Sequence, residues 1–365
     1  GGGQTYLQHL LKNVPADHGV EIILLSPDSL QFSSIKNNVR RLKLPGYLIG
    51  HPILRTLWEM LFLPYILRRL SIDALFCPGG SVSGNIPRSC KVVATFQNML
   101  PFDIVQRRKY PFGYMRFRNW ALHKKLLSSM LRSDLVIFIS DYAKSVIDLE
   151  SKNLINQSVI IPHGIDDKFR RNKNNILPVP SWLPNNGYLL YVSILDVYKS
   201  QIEVIEAYAL LKRNHNVDLK LVLVGPEFKP YGDKVRETIK RHSLEKYVLI
   251  KESIPYDDLP AVYQNATINI FASQTENCPF ILLEALASGR PLLVSNCLPM
   301  PEFGGSSVLY FKPTDPKELA IKLAALLMDP VLMTDLSEKA LEQSFKYSWD
   351  SAAKNTWDSI IALAN

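Results

Sequence analysis

Residues 275–291, TENCPFILLEALASGRP, form the stretch that decides the fold of this chain. Apolar runs at 267–272 and 291–294 lie on either side of it and favour strands. Pro279 suits the first turn of a helix, and Gly289 suits its end. A strand, a helix and a second strand in this order indicate a crossover between parallel strands. The stretch therefore predicts a doubly wound α/β domain.

The same alternation of short apolar runs and longer amphipathic segments extends over the rest of the chain. It predicts strands at 20–25, 74–77, 91–96, 135–139, 159–161, 188–192, 219–224, 247–250, 267–272 and 291–294. Helices are predicted between them, with two near 201–212 and 233–242. Two consecutive series of this kind predict an α/β protein with two Rossmann-like domains, each built on a doubly wound parallel sheet.

A polar, proline-containing stretch separates the two series. The chain becomes charged after Gly164, and three prolines follow within residues 177–186. We interpret residues 166–186 as the linker between an N-terminal domain, 1–165, and a C-terminal domain, 187–346. A helix over 347–365 is expected to complete the N-terminal domain. Because open α/β sheets bind ligands beyond the carboxyl ends of their strands, we expect the site in a cleft where the two domains face each other.

Length and composition narrow the class of protein. The 365 residues are 47% hydrophobic and 21% charged, which is typical of folded domains and not of disordered chains. No apolar run approaches the roughly 20 residues that span a bilayer, and the first residues lack a signal-peptide pattern. The four cysteines are scattered, unlike those of zinc sites or disulfide frameworks. We expect a cytoplasmic protein with reduced thiols.

The positive charge of the chain is concentrated in its first half. Residues 1–165 contain 20 Lys and Arg against 10 Asp and Glu, whereas residues 166–365 contain 22 against 24. A surplus of this size suits an anionic partner, such as a membrane surface, a lipid-phosphate acceptor or nucleic acid. Composition alone does not choose among these three.

Two carboxylates flank a possible anion site in the stretch 275–291. The first backbone amides of the predicted helix, near Cys278 to Ile281, form an anion-binding end that fits a diphosphate. Glu276 precedes the helix, and Glu284 lies inside it among leucines, where an acid needs a partner. One interpretation is an interdomain ion pair or a solvated edge. The other is a pair of carboxylates that bind hydroxyls on either side of a phosphate.

The spacing of these residues is similar to a known signature. A strand, Glu-x7-Glu, Ala-Leu-Ala-Ser-Gly-x-Pro and a second strand resemble the retaining family 4 glycosyltransferases of the GT-B fold. The resemblance implies that Glu276 contacts the donor sugar and Glu284 the ribose. It also implies that the backbone around Cys278, Phe280 and Ile281 meets the diphosphate, so that the C-terminal domain binds the nucleotide sugar and the N-terminal domain lies on the acceptor side.

Further segments agree with this family in order and spacing. Residues 1–6, GGGQTY, resemble a glycine loop near the donor phosphates, which implies that Gly2 and Gly3 are donor-binding. Residues 161–166, IPHGID, resemble the hinge motif, and residues 223–226 and 347–349 also match. Residues 191–199, YVSILDVYK, align with the segment Val-Gly-Arg-Leu-x-x-x-Lys that neutralises the diphosphate. This alignment assigns Ser193 to the donor site and Lys199 to catalysis.

The chain departs from the family pattern at three places. Ile194 stands where the family has an arginine beside Lys199, so Lys199 alone, or another base such as Lys251, must compensate. Gln97 stands where the family places a histidine near the transferred sugar, and an amide can donate hydrogen bonds but cannot act as a base. The family's first strand precedes the glycine loop, so we expect native residues before Gly1, unless the three glycines derive from cloning.

Residues 107–125 mix basic and aromatic side chains. They fit either a solvated helix face with core aromatics or an amphipathic surface that contacts anionic lipid or a lipid-diphosphate acceptor. We see no nucleic-acid-binding module. His163 is interpreted as a hinge residue, without the neighbouring ligands of a metal site. The resemblance likewise implies that the donor needs neither a metal nor another cofactor.

The sequence therefore predicts a retaining hexosyltransferase. The expected donor is a nucleoside-diphosphate sugar, with UDP-glucose as the first candidate, and the expected acceptor is a glycan or a lipid-linked sugar in bacterial cell-surface polysaccharide synthesis. The expected location is the cytoplasm, with a possible peripheral contact at the inner face of the membrane. Two alternatives remain: another GT-B enzyme, such as an epimerase or a phosphorylase, and a protein of this fold that binds a sugar nucleotide without turnover.

Overall fold

The computed structural model describes residues 2–15, 19–27, 38–48, 50–172, 174, 177–215 and 217–365. Contacts divide the chain into two compact units. The first unit comprises Gly1–Asn98, Trp120–Gly164 and Trp349–Asn365, and the second comprises Met99–Asn119 and Ile165–Ser348. Each unit contains parallel strands joined by helices, so the prediction of two Rossmann-like α/β domains is confirmed.

The second unit is built on one six-stranded parallel sheet. Its strands are β7 (Tyr188–Val192), β8 (Lys220–Val224), β9 (Val248–Lys251), β10 (Ile268–Phe271), β11 (Leu292–Ser295) and β12 (Leu309–Phe311). Their order across the sheet is β12-β11-β10-β7-β8-β9. Numbered within the unit and taken from the other edge, this is the order 3-2-1-4-5-6 of a Rossmann sheet, whose switch point lies between the first and fourth strands.

Helices connect and cover these strands. They are α6 (Gln201–His215), α7 (Tyr231–Arg241), α8 (Leu259–Gln264), α9 (Phe280–Ala287), α10 (Met300–Gly304), α11 (Pro316–Leu327) and α12 (Pro330–Ser344). Every residue of β7, β10 and β11 is buried, as expected for strands covered on both faces. Helix α11 packs against α6, and α12 packs against α9.

The strands of the first unit form two parallel sheets. Strands β3 (Ala74–Cys77), β4 (Lys91–Phe96), β5 (Leu135–Phe138) and β6 (Ser158–Ile160) are adjacent in chain order, and β1 (Ile22–Ser26) pairs with β2 (Val39–Lys43). The helices are α1 (Gly2–Lys12), α2 (Pro52–Arg69), α5 (Asp141–Glu150) and α13 (Trp349–Ala364), together with the C-terminal part of α4 (Tyr114–Leu131).

The C-terminal helix α13 packs into the first unit. It contacts α1, β3 and β4. The indole nitrogen of Trp357 donates a 3.0 Å hydrogen bond to the carbonyl of Leu10, and Trp349 stacks on His9 with ring centroids 4.4 Å apart. The chain therefore returns to its first unit after completing the second.

Residues 99–119 lie in a different place from the one that chain order suggests. The sequence analysis assigns them to the N-terminal domain, but in the structure they pack with the second unit, where α3 (Ile104–Lys109) contacts the segment after β7. The expected linker is also part of the second unit. Phe169 is fully buried there, and the amide of Arg171 donates to the carbonyl of Ala287 at 2.9 Å.

Each predicted strand is present with ends shifted by at most two residues, but two strands were missed. Strand β2 reads VRRLK, and three basic residues in five hide the apolar pattern of a strand. Strand β12 contains only three residues, which is too short for a periodic pattern. Both strands pair with a more apolar neighbour, β1 and β11 respectively, which explains why they form.

Candidate active site

The candidate site lies at the switch point of the second sheet. Strands β7 and β10 are neighbours there and run parallel, so the loops that follow their carboxyl ends meet at one edge. The loop after β7 contains residues 193–200, and the loop after β10 contains residues 272–279. In sheets of this topology, ligands bind in the crevice beside such loops. Four of the eleven predicted site residues belong to these two loops: Ser193, Lys199, Glu276 and Cys278.

Lys199 is held at the end of a short 3-10 helix, Val197–Lys199. The Asp196 carboxylate accepts from the amide of Val197 at 2.7 Å, and the Lys199 carbonyl accepts from the hydroxyl of Tyr191 at 2.7 Å. Its side chain is buried, and the ammonium lies 5.6 Å from the centre of the Phe271 ring. The local backbone therefore fixes the direction of this lysine before any ligand binds.

The structure brings Lys199 and Glu276 together in an ion pair. They are 77 residues apart in the sequence, and each follows one of the two switch-point strands. The Lys199 side chain is 5% exposed and that of Glu276 is 16% exposed. A pair this poorly hydrated is electrostatically stronger than a surface pair. The sequence analysis expects both residues in one site, but it does not predict this contact.

Helix α9 begins at Phe280, four positions after Glu276. Pro279 is its N-cap residue, and the amides of Leu282 and Leu283 donate to the Pro279 carbonyl at 3.0 and 3.1 Å. Cys278 is buried, whereas Phe280 and Ile281 are partly exposed. The first amides of a helix and its dipole favour an anion at this position. Gly289 follows the helix with a φ of +56°, which suits a glycine that ends a helix.

Glu284 has a different environment from Glu276. Its carboxylate accepts hydrogen bonds from the hydroxyl of Tyr256 at 3.2 Å and from the hydroxyl of Tyr263 at 3.3 Å. Burial raises the pKa of Glu284 to about 7, and the hydrogen bonds from the two tyrosines oppose that rise. Burial also raises the pKa of both tyrosines, so their hydroxyls stay protonated and act as donors. Glu284 thus titrates near neutral pH.

Lys168 contributes a positive charge close to Glu284. Its ammonium lies 4.0 Å from the centre of the Tyr256 ring and forms a 2.6 Å ion pair with Asp257. The positive charge also lowers the pKa of Glu284, although less than burial raises it. The buried acid is therefore satisfied by tyrosines of its own unit, and no interdomain ion pair is needed to explain it.

Ser193 and Ile194 form the start of the loop after β7. The hydroxyl of Ser193 accepts from the side-chain amide of Gln201 at 2.7 Å. Gly225 approaches this loop so closely that a Cβ atom would lie 2.1 Å from the Ser193 carbonyl oxygen, and its φ is +143°. Only glycine fits there. Ile194 is 37% exposed, so an apolar side chain occupies the position of the family's arginine.

Lys251 lies apart from the Lys199–Glu276 pair. It ends β9, the outer strand of the sheet, and is exposed. Its ammonium lies 5.6 Å from the centre of the Trp182 ring. The structure therefore places the alternative base beside an aromatic ring rather than beside the predicted catalytic residues.

The remaining predicted residues lie in the first unit. Gly2 and Gly3 form the first turn of α1, so the predicted glycine loop is the start of a helix. Gln97 directly follows β4, and its side-chain amide donates to the carbonyl of Pro78 at 2.7 Å. A Cβ atom on Gly3 would lie 3.7 Å from the Gln97 carbonyl oxygen, so these two residues are neighbours.

His163 is a buried residue of the first unit. Its ring lies 4.8 Å from that of Tyr6 and 5.5 Å from that of Trp349, centre to centre. Burial lowers its pKa to about 3, so the imidazole is neutral near pH 7. Within the described part of the chain, no group of three or more His, Cys, Asp and Glu side chains could hold a metal ion.

Tyr110 is a contributor that sequence reasoning missed. Its hydroxyl lies 2.9 and 3.0 Å from the two carboxylate oxygens of Asp196, the residue that caps the Lys199 turn. Tyr110 is 1% exposed and Asp196 is 7% exposed. Tyr110 belongs to the basic-aromatic stretch that the sequence analysis considers for lipid contact, and no local pattern shows that it packs against residue 196.

A second contact joins the same segment to the loop before Glu276. The Lys109 ammonium donates to the side-chain carbonyl of Gln274 at 2.6 Å, and the Gln106 amide donates to the same oxygen at 3.3 Å. The Gln274 amide group in turn donates to the hydroxyl of Ser200 at 2.6 Å. Helix α3 is thus connected to both loops of the candidate site.

Comparison with known proteins gives two family matches. The family described as glycosyl transferases group 1 matches residues 173–343, and glycosyltransferase family 4 matches residues 1–169. The O-antigen chain mannosyltransferase B of Escherichia coli is 24% identical over 273 residues, which are 73% of this chain and 69% of that protein. A serotype-specific mannosyltransferase WbdA of the same species is 25% identical over 74% of this chain, but the match spans only 33% of the relative.

Solved structures show the same fold. Sucrose-phosphate synthase from Thermosynechococcus elongatus superposes with a TM-score of 0.77 at 16% identity, over 100% of this chain and 94% of that chain. Anabaena HepE in complex with UDP-glucose superposes with a TM-score of 0.71 at 14% identity, over 99% and 96% of the two chains. At these identities the likeness concerns the fold.

Proposed function

Because the chain belongs to the group 1 glycosyltransferases and has the GT-B fold, we propose that it transfers a hexose from a nucleoside-diphosphate sugar with retention of configuration. The observation that supports this most is the Lys199–Glu276 ion pair beside the N-terminus of α9. An ammonium and a helix end together suit a diphosphate, and an adjacent carboxylate suits sugar hydroxyls.

Donor binding rearranges this pair. The diphosphate occupies the N-terminal end of α9 and competes with Glu276 for the ammonium of Lys199. Glu276 is then available to accept hydrogen bonds from hydroxyls of the donor sugar. Since each new contact replaces part of the original ion pair, the buried charges remain paired throughout, which avoids the cost of an isolated charge.

Bond cleavage places negative charge on the departing diphosphate. The bond from the anomeric carbon to the diphosphate oxygen breaks, the acceptor oxygen forms a new bond on the same face of the sugar, and the proton of the acceptor hydroxyl passes to the departing diphosphate oxygen. Lys199 and the amides of α9 stabilise the charge that develops, and such fixed charges and dipoles usually contribute most to lowering a barrier of this kind. With Ile194 in place of an arginine, Lys199 carries most of the side-chain contribution. Gln97 is proposed to donate a hydrogen bond at the transferred sugar.

Glu284 is proposed to bind the ribose. Its carboxylate already accepts two tyrosine hydroxyls, and each oxygen retains further lone pairs for ribose hydroxyls. Ser193 and the backbone around Cys278, Phe280 and Ile281 complete the nucleotide site, with Gly2 and Gly3 near the phosphates. Lys251 is a secondary candidate for binding the donor. It lies beside Trp182, away from the Lys199–Glu276 pair.

The donor sugar is the open part of this proposal. UDP-glucose remains the first candidate, and HepE, which shares the fold, has been solved with that donor. The two E. coli relatives are named mannosyltransferases, which makes mannose the second candidate. The name of the first relative also supports an acceptor in cell-surface polysaccharide, either a glycan or a lipid-linked sugar. No metal or other cofactor is part of the proposed step.

Residues 107–125 are proposed to contact an anionic membrane from the cytoplasmic side. Several of their cations have internal partners: Arg107 donates to the carbonyl of Pro101, and Arg116 donates to the carbonyl of Tyr110. The aromatic side chains are the more exposed part, with Phe112 at 90% and Tyr114 at 74%. No helix within the described residues is long and apolar enough to cross a membrane.

A donor screen tests the proposed function. Thermal unfolding is measured with UDP-, GDP- and ADP-linked glucose and mannose, and slow donor hydrolysis is then followed for the nucleotide that stabilises the protein. Binding of one nucleotide sugar at saturating concentration raises the stability by about 2.7 kcal/mol at a hundred times its Kd. A protein that no sugar nucleotide stabilises would contradict the proposal.

A further inference from the structure

Helix α2 carries an apolar face that is exposed to solvent. Six side chains share this face, which we call the α2 apolar face: Ile53, Leu54, Leu57, Met60, Leu61 and Tyr65, each between 48% and 76% exposed. At 100° per residue they occupy an arc of about 140° along a helix about 27 Å long. The buried side of α2 holds Leu63 and Leu67, which pack beside Cys90. The helix is therefore apolar on two sides.

Contiguous exposure of this kind is unusual in a folded protein. Single exposed leucines are ordinary, but a patch of large apolar side chains marks a surface that binds a partner. Helices α11 and α12 differ from α2, since α11 exposes one large apolar side chain, Ile321 at 68%, and α12 exposes one, Val331 at 79%. The α2 apolar face therefore indicates a binding partner, whereas the single exposed residues of α11 and α12 do not.

The charges around this face are basic. Helix α2 contains three arginines and one glutamate, and that glutamate, Glu59, is paired with Arg55 at 2.8 Å. Arg68 and Arg69 lie in the last turn. Near its first turn, the Lys125 ammonium of α4 donates to the hydroxyl of Thr56 at 3.1 Å, which adds one more cation beside the helix. Apolar side chains rimmed by Arg and Lys match the interface of an anionic bilayer.

The same charges disfavour a second copy of the chain as the partner. A second copy would add further arginines and no free acid to this contact, because Glu59, the one acid of α2, is already paired with Arg55. A lipid headgroup layer supplies the negative charge that the rim requires. The helix is too polar to cross the bilayer, so it must lie in the plane of the interface.

We propose that the α2 apolar face lies in the interfacial layer of an anionic membrane, with its side chains among the acyl chains and Arg68 and Arg69 at the headgroups. The face contains none of the proposed donor residues, and Lys125, the last residue of the segment 107–125, contacts helix α2 at Thr56. The face adds an apolar anchor on the first unit, and it does not depend on the identity of the donor.

Vesicle co-sedimentation of the full chain tests this proposal. The vesicles contain either phosphatidylcholine alone or phosphatidylcholine with about 30% phosphatidylglycerol, and the variant combines Leu57→Gln with Leu61→Gln. We expect about tenfold weaker binding to anionic vesicles or more, since two anchors lose apolar burial and gain polar groups. The matched control is Ile321→Gln with Val331→Gln, which changes two equally exposed residues and is expected to bind like the original protein.

Further measurements distinguish binding to a membrane from binding to a second copy of the chain. Arg68→Gln with Arg69→Gln should weaken binding to anionic vesicles about fivefold or more while leaving the weak binding to neutral vesicles unchanged. Unchanged binding of Leu57→Gln with Leu61→Gln would overturn the proposal, as would an equal loss in the control. A dimer that sedimentation detects and that the α2 variant dissociates would assign the face to a second copy and would also overturn it. Donor hydrolysis by the α2 variant should persist, so a failure of the proposed transfer activity would be seen separately.

Discussion

Glu276 and Glu284 lie eight residues apart in one motif, yet the structure gives the two carboxylates opposite environments. Glu276 faces the ammonium of Lys199 in a loop, whereas Glu284 lies in a helix and accepts hydrogen bonds from two neutral hydroxyls. The first is part of a charge pair that a diphosphate can open. The second is a buried acid whose pKa rises to about 7. The comparison shows that environment, rather than residue type, distinguishes the two carboxylates, and the separate roles proposed for them rest on this difference.

The largest effect on activity is expected from replacing Lys199, the ion-pair partner of Glu276. Lys199→Ala should lower the rate of sugar transfer or donor hydrolysis by about 10²–10³-fold, because it removes the side chain that stabilises the departing diphosphate. The matched control is Lys220→Ala, which replaces an exposed lysine at the amino end of β8 and should stay within about threefold of the original rate, less than 1 kcal/mol of barrier. If Lys199→Ala kept its activity within that range, another base would have to neutralise the diphosphate, and Lys251 would be tested next.

The buried acid should make stability depend on pH. Folding raises the pKa of Glu284 from 4.5 to about 7, so the folded protein holds this proton more tightly than the unfolded chain. The stabilising contribution is complete below the unfolded pKa and is lost as pH rises through about 7. Between about pH 5 and about pH 8 the loss amounts to about 2–3 kcal/mol.

Urea unfolding of the original protein and of Glu284→Gln at both pH values isolates the contribution of this proton. The glutamine cannot ionise, so the difference between the two proteins should shrink or reverse in favour of the variant as pH rises. A pH dependence that is the same in both proteins would contradict the raised pKa.

A smaller effect is expected from the segment that joins α3 to the candidate site. Tyr110→Phe removes the hydroxyl that binds both oxygens of Asp196, and this buried carboxylate caps the turn that carries Lys199. We expect a loss of stability of about 1–3 kcal/mol. If Tyr110 positions Lys199, turnover should also fall by about threefold to tenfold with little change in KM, since the lysine acts mainly on the transition state.

Tyr114→Phe is the control for this substitution. Tyr114 is a tyrosine of the same segment, 74% exposed, and its loss should change neither stability nor turnover. A Tyr110→Phe variant with reduced stability but normal turnover would show that the contact only holds the fold together.

The fold was predictable from the sequence because the buried strands of the second unit are almost purely apolar. Strand β7 reads YLLYV and strand β10 reads INIF, and such runs between helical segments have few alternatives. The exceptions follow the same logic. Strand β2, VRRLK, forms because it pairs with β1 and not because of its own pattern. The sequence of a single strand does not show which other strand it will pair with.

The candidate site was predictable only in part. Glu276 and Glu284 were singled out by their positions around a predicted helix, and Lys199 by the resemblance of residues 191–199 to the family segment. The contacts between them do not follow from spacing. Tyr110 and Asp196 are 86 positions apart and Tyr263 and Glu284 are 21 apart, and no periodic pattern in the sequence indicates these contacts. Such pairs depend on the assembled fold, and only the structure shows them.

The most direct test of the division between the two carboxylates is the affinity for UDP alone, measured by calorimetry on Glu276→Gln and Glu284→Ala side by side. UDP contains the ribose and the diphosphate but lacks the transferred sugar. At about pH 8, where Glu284 is ionised, Glu284→Ala should bind UDP more weakly by about 1.5–3 kcal/mol, because hydrogen bonds from the ribose to a charged carboxylate are lost. Glu276→Gln should bind UDP as well as the original protein or more tightly, because Lys199 no longer has a competing carboxylate. Unchanged affinity in a folded Glu284→Ala protein, or a loss confined to Glu276→Gln, would contradict the account.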